Sequence, residues 1–130
     1  MKKFENFCKA LANLEEGLQL AEPLNVAEET GIVGMFEICY EQSWKVLKEV
    51  LKMHGDRNSK SGSPRQIFKA AYSAGILPEE EVWIEILEDR NILSHVYDAD
   101  KVQITIAKVR EKYLPAFQQL KKILEEDWLI

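Results

Sequence analysis

The sequence predicts an all-α fold, an up-and-down bundle of four to five helices. Five stretches repeat apolar residues at three- and four-residue steps. The connections between them are short, and no stretch reads convincingly as a strand.

Phe4, Phe7, Cys8, Leu11, Leu14, Leu18 and Ala21 line one face of a first helix, which Pro23 ends. Asn25 caps the second, and Glu28 and Glu29 suit the positive end of its dipole. This helix is the longest, from about Val26 to His54. Its stripe is Val33, Phe36, Tyr40, Leu47 and Leu51, with Trp44 and Val50 beside it. Gly31 and Gly34 are poor helix formers and mark a kink or a close helix contact near its start. Gly55 stops it. Asp56 to Gly62 is polar and aperiodic, the pattern of a mobile loop.

Ser63 and Pro64 supply the cap and first position of a third helix, lined by Ile67, Phe68, Ala71 and Ala74 and ended by Gly75. Pro78 and the run Glu79, Glu80, Glu81 open a fourth, with Val82, Trp83, Ile86, Leu87 and Leu93 on its buried side and its end expected near Tyr97. Asp98 or Asp100 caps the last helix. Its stripe is Val102, Ile106, Val109, Tyr113, Phe117, Leu120 and Leu124, and Pro115 is expected to kink or split it.

A chain of 130 residues makes one domain, residues 1–130, long enough for a core. The net charge of -5 argues against nonspecific coating of nucleic acid, while leaving room for a local basic groove. No apolar run reaches the length of a membrane span, so no membrane partner is expected. Met1-Lys2-Lys3-Phe4 runs directly into an amphipathic pattern and is no signal peptide. Cys8 and Cys39 sit among apolar residues as buried free thiols, and with two distant histidines they make no zinc spacing. These features place the chain in the cytoplasm and call for no cofactor.

Chemistry concentrates between Glu88 and Asp98. On a helix, Arg90 and His95 lie about 140° apart. Arg90, Ser94 and Tyr97 share one face, and Asn91, His95 and Asp98 share the neighbouring one. Two readings stand. The residues form a helix end that bonds its own carbonyls and screens the dipole. Alternatively, they form a cleft where Arg90 grips phosphate by its guanidinium fork and His95 moves protons near neutral pH, with Asn91 and Ser94 beside them and no metal required. Lys45 and Lys48, with Lys52, lie along one side of the second helix, and Glu41 precedes Lys45 by one turn. They form either a solvated, internally paired face or a basic wall for phosphate. Arg65 and Lys69 stand on the third helix, whose N-terminus suits an anion.

The segment Arg90-Asn91-Ile92-Leu93-Ser94-His95-Val96-Tyr97 resembles the signature of HEPN domains: Arg, four residues, His, then Tyr at the second position. Phe36-Glu37, Tyr40-Glu41, Trp44-Lys45 and Leu47-Lys48 resemble the second helix of the nucleotidyltransferase substrate-binding protein family. Ser63-Pro64-Arg65, Ala70, Ala74-Gly75, Trp83, Asp89-Arg90-Asn91, Ser94-His95 and Tyr97-Asp98 continue in that family's order, so the resemblance covers nearly the whole chain. It implies a four- to five-helix homodimer that pairs with a separate minimal nucleotidyltransferase subunit, commonly in a two-component, toxin–antitoxin-like module. It also implies binding of nucleotide or RNA, with Arg90 and His95 in the positions of a metal-independent endoribonuclease pair. Tyr97 matches the tyrosine that the partner enzyme modifies by nucleotide transfer, silencing the protein. Two functions follow from the resemblance: a substrate-binding partner subunit, or a ribonuclease toxin under that partner's control.

Overall fold

The computed structural model describes residues 1–56, 62–95 and 98–129. Six α-helices follow one another: α1 (Lys2–Gly17), α2 (Val26–Met53), α3 (Pro64–Ser73), α4 (Glu81–His95), α5 (Ala99–Lys108) and α6 (Leu114–Ile123). A π-helical turn, Val109–Tyr113, joins α5 to α6 without a break, and a second, Leu124–Trp128, extends α6. The result is five helical rods in an all-α bundle, with no strand among the described residues. No helix among those residues is long and apolar enough to cross a membrane.

The centre of the bundle is α2. At 28 residues it spans about 42 Å. It packs against α1, α3, α4 and α5, and α1 also reaches α6. Its start is set by a complete capping box. The Asn25 side chain accepts from the Glu28 amide at 2.8 Å, and the Glu28 carboxylate accepts from the Asn25 amide at 2.9 Å. Asn25→Ala leaves the Glu28 amide to solvent and is expected to lower stability by about 1 kcal/mol, measured as a shift in the urea midpoint. Ser63 and Gln66 build the same box at the head of α3. Asp98, not Asp100, caps α5, accepting from the amides of Asp100 and Lys101.

Three boundaries differ from the sequence expectation. α1 stops at Gly17, well before Pro23, because the chain tightens into turns with Gln19 and Leu20 bonded to Glu16 and Gly17. The apolar rhythm through Leu18 therefore outlasts the helix, although Leu18 itself stays buried. Gly31 and Gly34 neither break α2 nor mark a contact, since a Cβ at either position would meet nothing within 4 Å. The close approach is at Gly17, where a Cβ would come within 2.7 Å of the Met35 sulfur on α2. Near Pro115 the helix neither splits nor ends. It widens into the π turn just upstream, and Leu114 bonds back to the Val109 carbonyl. Gly55 and Gly75 stop α2 and α3 as expected, with φ of 81° and 83°. Residues 57–61 of the expected polar loop lie outside the described residues.

The core runs the length of the bundle, and its rings touch in sequence. Tyr40 meets Phe68 at 6.0 Å, Phe68 meets Trp83 at 5.3 Å, and Trp83 meets Phe117 at 5.6 Å. Phe117 meets Phe36 at 6.3 Å, and Phe36 stacks on Tyr113 at 5.7 Å. This chain of six rings links α2, α3, α4, α6 and the first π turn.

Candidate functional site at the end of α4

α4 continues through His95, so Arg90, Asn91, Ser94 and the backbone of His95 share one unbroken helical frame. Arg90 is half-buried. Its guanidinium carbon lies over the Tyr40 ring, 5.5 Å from the centroid, an arrangement favourable to a cation on an aromatic face. Its Nη1 donates to Asn91 Oδ1 at 3.3 Å, and its buried Nε has no hydrogen-bond partner among the described residues. Ser94 Oγ donates to the Asn91 carbonyl at 2.9 Å. Asn91 and Ser94 are both exposed. The guanidinium therefore rests on a ring below, is braced by an amide at one edge, and keeps part of its fork unpaired.

Tyr40 is 2 % exposed. Burial holds its hydroxyl above the ordinary phenol range, and Arg90 and Arg65 pull the other way. It stays protonated near neutral pH, so Arg90 faces an uncharged ring. Glu41 pushes that hydroxyl further up. Arg65 is exposed and lines an open cleft of about 830 Å³ along α3 and α4, with Lys69, Tyr72, Glu80, Ile84 and Glu88. Lys69 pairs with Glu80 across it at 3.3 Å.

The neighbour of Arg90 in sequence faces the opposite way. Asp89 Oδ2 accepts from the buried Tyr113 hydroxyl in a short hydrogen bond and from Lys108 Nζ at 3.3 Å. Lys108 also meets Glu85 at 3.3 Å, and Lys112 meets Glu85 at 2.8 Å. Burial and the Asp89 carboxylate push the Tyr113 hydroxyl far above the usual phenol range. The Lys112 hydrogen bond, followed by Lys108, holds Glu85 below the usual carboxylate range. Asp89 and Arg90 thus grip opposite ends of the same six-ring chain: Tyr113 carries one, Tyr40 the other. That fixes the rotation of α4 about its axis, and with it the direction in which Asn91 and Ser94 point.

The sequence-predicted residues separate into three groups. Arg90, Asn91 and Ser94 lie together, joined by the hydrogen bonds through Asn91. The side chain of His95 and all of Tyr97 lie outside the described residues. Lys45 is engaged by Glu41 at 3.6 Å, which is the internally paired face, while Lys48 is half-buried without an ion pair among the described residues. Tyr40 and Asp89 stand in the quoted family motifs without an assigned role, and Tyr113 carries no site signal in the sequence. Tyr40 and Tyr113 read as stripe positions, and their partners come from distant helices. No cluster of three or more His, Cys, Asp or Glu suited to a metal ion occurs among the described residues. Cys39 is buried, which pushes its thiol far up and leaves it unreactive.

Comparison with known proteins yields three findings. Residues 2–126 match the family model described as nucleotidyltransferase substrate binding protein like. A Haemophilus influenzae protein named "Probable ribonuclease HepT" is 28 % identical over 81 residues, which cover 61 % of this chain and 56 % of that relative. The match therefore spans little more than half of the relative's length. A crystal structure of a Thermus thermophilus protein superposes with a TM-score of 0.80 at 24 % identity, covering 92 % of this chain and 99 % of the other, and shares the fold.

Proposed function

Because the chain belongs to the nucleotidyltransferase substrate binding protein like family, we propose that it is a HEPN-type partner subunit of a separate minimal nucleotidyltransferase. It presents nucleotide or nucleic acid to that enzyme, within a toxin–antitoxin-like module, and works as a homodimer. The observation that carries this reading is the family match over residues 2–126, which includes every element around Arg90. The geometry agrees with it. An exposed Asn91 and Ser94 beside the half-buried Arg90 guanidinium suit a phosphate-bearing ligand.

A second reading is favoured by the Haemophilus influenzae relative's name and by the seating of Arg90 on Tyr40. In it the homodimer is a metal-independent endoribonuclease. Arg90 holds the scissile phosphate and His95 takes the 2′-hydroxyl proton. The partner silences the protein by transferring a nucleotide to Tyr97.

Coexpression with a cognate minimal nucleotidyltransferase tests the first reading directly. The two chains are expected to copurify, and addition of ATP is expected to add one nucleotidyl group to this chain by intact mass. Tyr97→Phe is expected to abolish that gain. Chains that elute separately at micromolar concentration overturn the partner reading, and an adduct that survives Tyr97→Phe overturns the assignment of the tyrosine.

A further inference from the structure

α3 and α4 leave an open cleft of about 830 Å³ between them, and each wall is one face of a helix. Arg65, Lys69 and Tyr72 recur at three- and four-residue steps on α3, and Glu81, Ile84, Glu85 and Glu88 do so on α4. Pro78, Glu79 and Glu80, from the α3–α4 connection, complete the lining. Tyr72 is 45 % exposed. A lone tyrosine on a surface needs no explanation. Set in a concave wall with Pro78 and the half-buried Ile84, it offers a partner an aromatic anchor.

The walls around this anchor are acidic. Lys69 pairs with Glu80 across the cleft, and Glu85 is met by Lys108 and Lys112, which lie outside it. Among the described residues, Glu79, Glu81 and Glu88 are exposed without an ion pair, and Arg65 is the one cation of the lining in the same position. The positive end of α4 accounts for acid at Glu81 and just before it. It does not account for Glu88, two turns further on. This charge opposes RNA or phosphate and favours a basic chain. Glu81 and Glu88 stand about 10 Å apart along α4, with Ile84 between them. Arg90, Asn91 and Ser94 do not line the cleft.

We propose that this cleft is a docking groove for a basic amphipathic helix of a partner protein. The stripe that this helix turns inward carries Lys or Arg seven residues apart, which pair with Glu81 and Glu88. Apolar side chains between those cations pack on Tyr72 and Ile84. An open groove whose apolar floor is flanked by charge suits a polypeptide face, whereas a small molecule needs enclosing walls. The groove is independent of the Arg90 reading, because its charge selects the opposite class of ligand.

Titration of the 15N-labelled protein with a synthetic alanine-based helix tests this. The peptide carries two arginines seven residues apart and two leucines between them. It is expected to give saturable amide shifts at Lys69, Tyr72, Ile84 and Glu88. The same peptide with glutamate for arginine is expected to give none, and the one with alanine for leucine is expected to bind at least about tenfold more weakly. Tyr72→Ala and Glu88→Lys are each expected to weaken the arginine peptide at least about tenfold with the thermal midpoint level, since both residues are exposed. Glu126→Lys makes the same charge change on an exposed residue of the second π turn, outside the cleft, and is expected to leave binding unchanged. Equal affinity for the leucine-free or the glutamate peptide, undiminished binding in Tyr72→Ala or Glu88→Lys, or equal weakening by Glu126→Lys overturns the proposal. Shifts at these amides from a uridine oligonucleotide but not from the arginine peptide also overturn it, in favour of RNA.

Discussion

Arg90→Ala is expected to lower the rate of RNA cleavage in chelator by about 10²–10³-fold, and His95→Ala by about 10²–10⁴-fold. In the ribonuclease reading proposed above, the 2′-hydroxyl proton would move to His95 as the 2′-oxygen attacks phosphorus. The bond from phosphorus to the 5′-oxygen would break, and the departing oxygen would take a proton from water or from the protonated His95, giving a 2′,3′-cyclic phosphate and a 5′-hydroxyl. Negative charge grows on the non-bridging oxygens, where the Arg90 guanidinium would lower the barrier. Arg90→Lys is expected to recover little of the loss, because an ammonium lacks both the planar fork and the face that stacks on Tyr40. The double variant is expected to be little worse than the poorer single, as for groups acting as a unit. Single-turnover assays on the purified protein measure all three, with thermal unfolding as a control because Arg90 is half-buried. Cleavage in chelator that persists at the parent rate in Arg90→Ala or His95→Ala places the activity elsewhere.

That expectation draws on a part of the chain whose local organisation was legible and whose anchoring was not. The stripes, the Asn25 and Ser63 caps and the stops at Gly55 and Gly75 are decided within a few residues. A 3.6-residue period or an Asn three positions before a Glu exposes them. The polar group of Arg90, Asn91 and Ser94 follows equally from helical phase. What holds it does not. Asp89 finds its partners 19 and 24 residues downstream, and Tyr40 reaches Arg90 from another helix. Both depend on how helices pack, which no spacing in one sequence encodes. Glu29 is the same case in reverse. Its place in the first turn of α2 reads as a dipole contact, and only the wall supplied by α5 reveals it as a buried residue beside a cavity.

The family match and the geometry bear on each other at this point. A nucleotide-handling surface needs its phosphate-binding group held in one direction, and long side chains on a helix surface are otherwise free to swing. Here, adjacent residues are tied to opposite ends of one chain of core rings. The Arg90 guanidinium is therefore supported by the core rings through Tyr40.

Trp83→Ala is accordingly expected to be the most damaging single change away from the site, costing about 3–5 kcal/mol. Trp83 is 2 % exposed and touches Phe68 at 5.3 Å and the edge of Phe117 at 5.6 Å, so it joins α3 to α6 through α4. Its removal takes away two ring contacts, each worth about 0.5–1.5 kcal/mol beyond buried area, and leaves a cavity that three helices would have to close. Against a typical total of about 5–15 kcal/mol, that is a large share of the stability of the bundle. The urea midpoint measures it, with an unchanged slope showing that the variant still unfolds as one unit. Trp83→Phe keeps a ring at the junction and is expected to recover most of the loss. The site should respond in the same order, because Phe68 supports the Tyr40 ring on which Arg90 rests. Phosphate-ligand affinity should fall in Trp83→Ala and largely return in Trp83→Phe, at temperatures where both remain folded. A loss below about 1 kcal/mol in Trp83→Ala would mean that the rings around it close the gap themselves, and that the chain from Arg90 to Asp89 does not act as a single support.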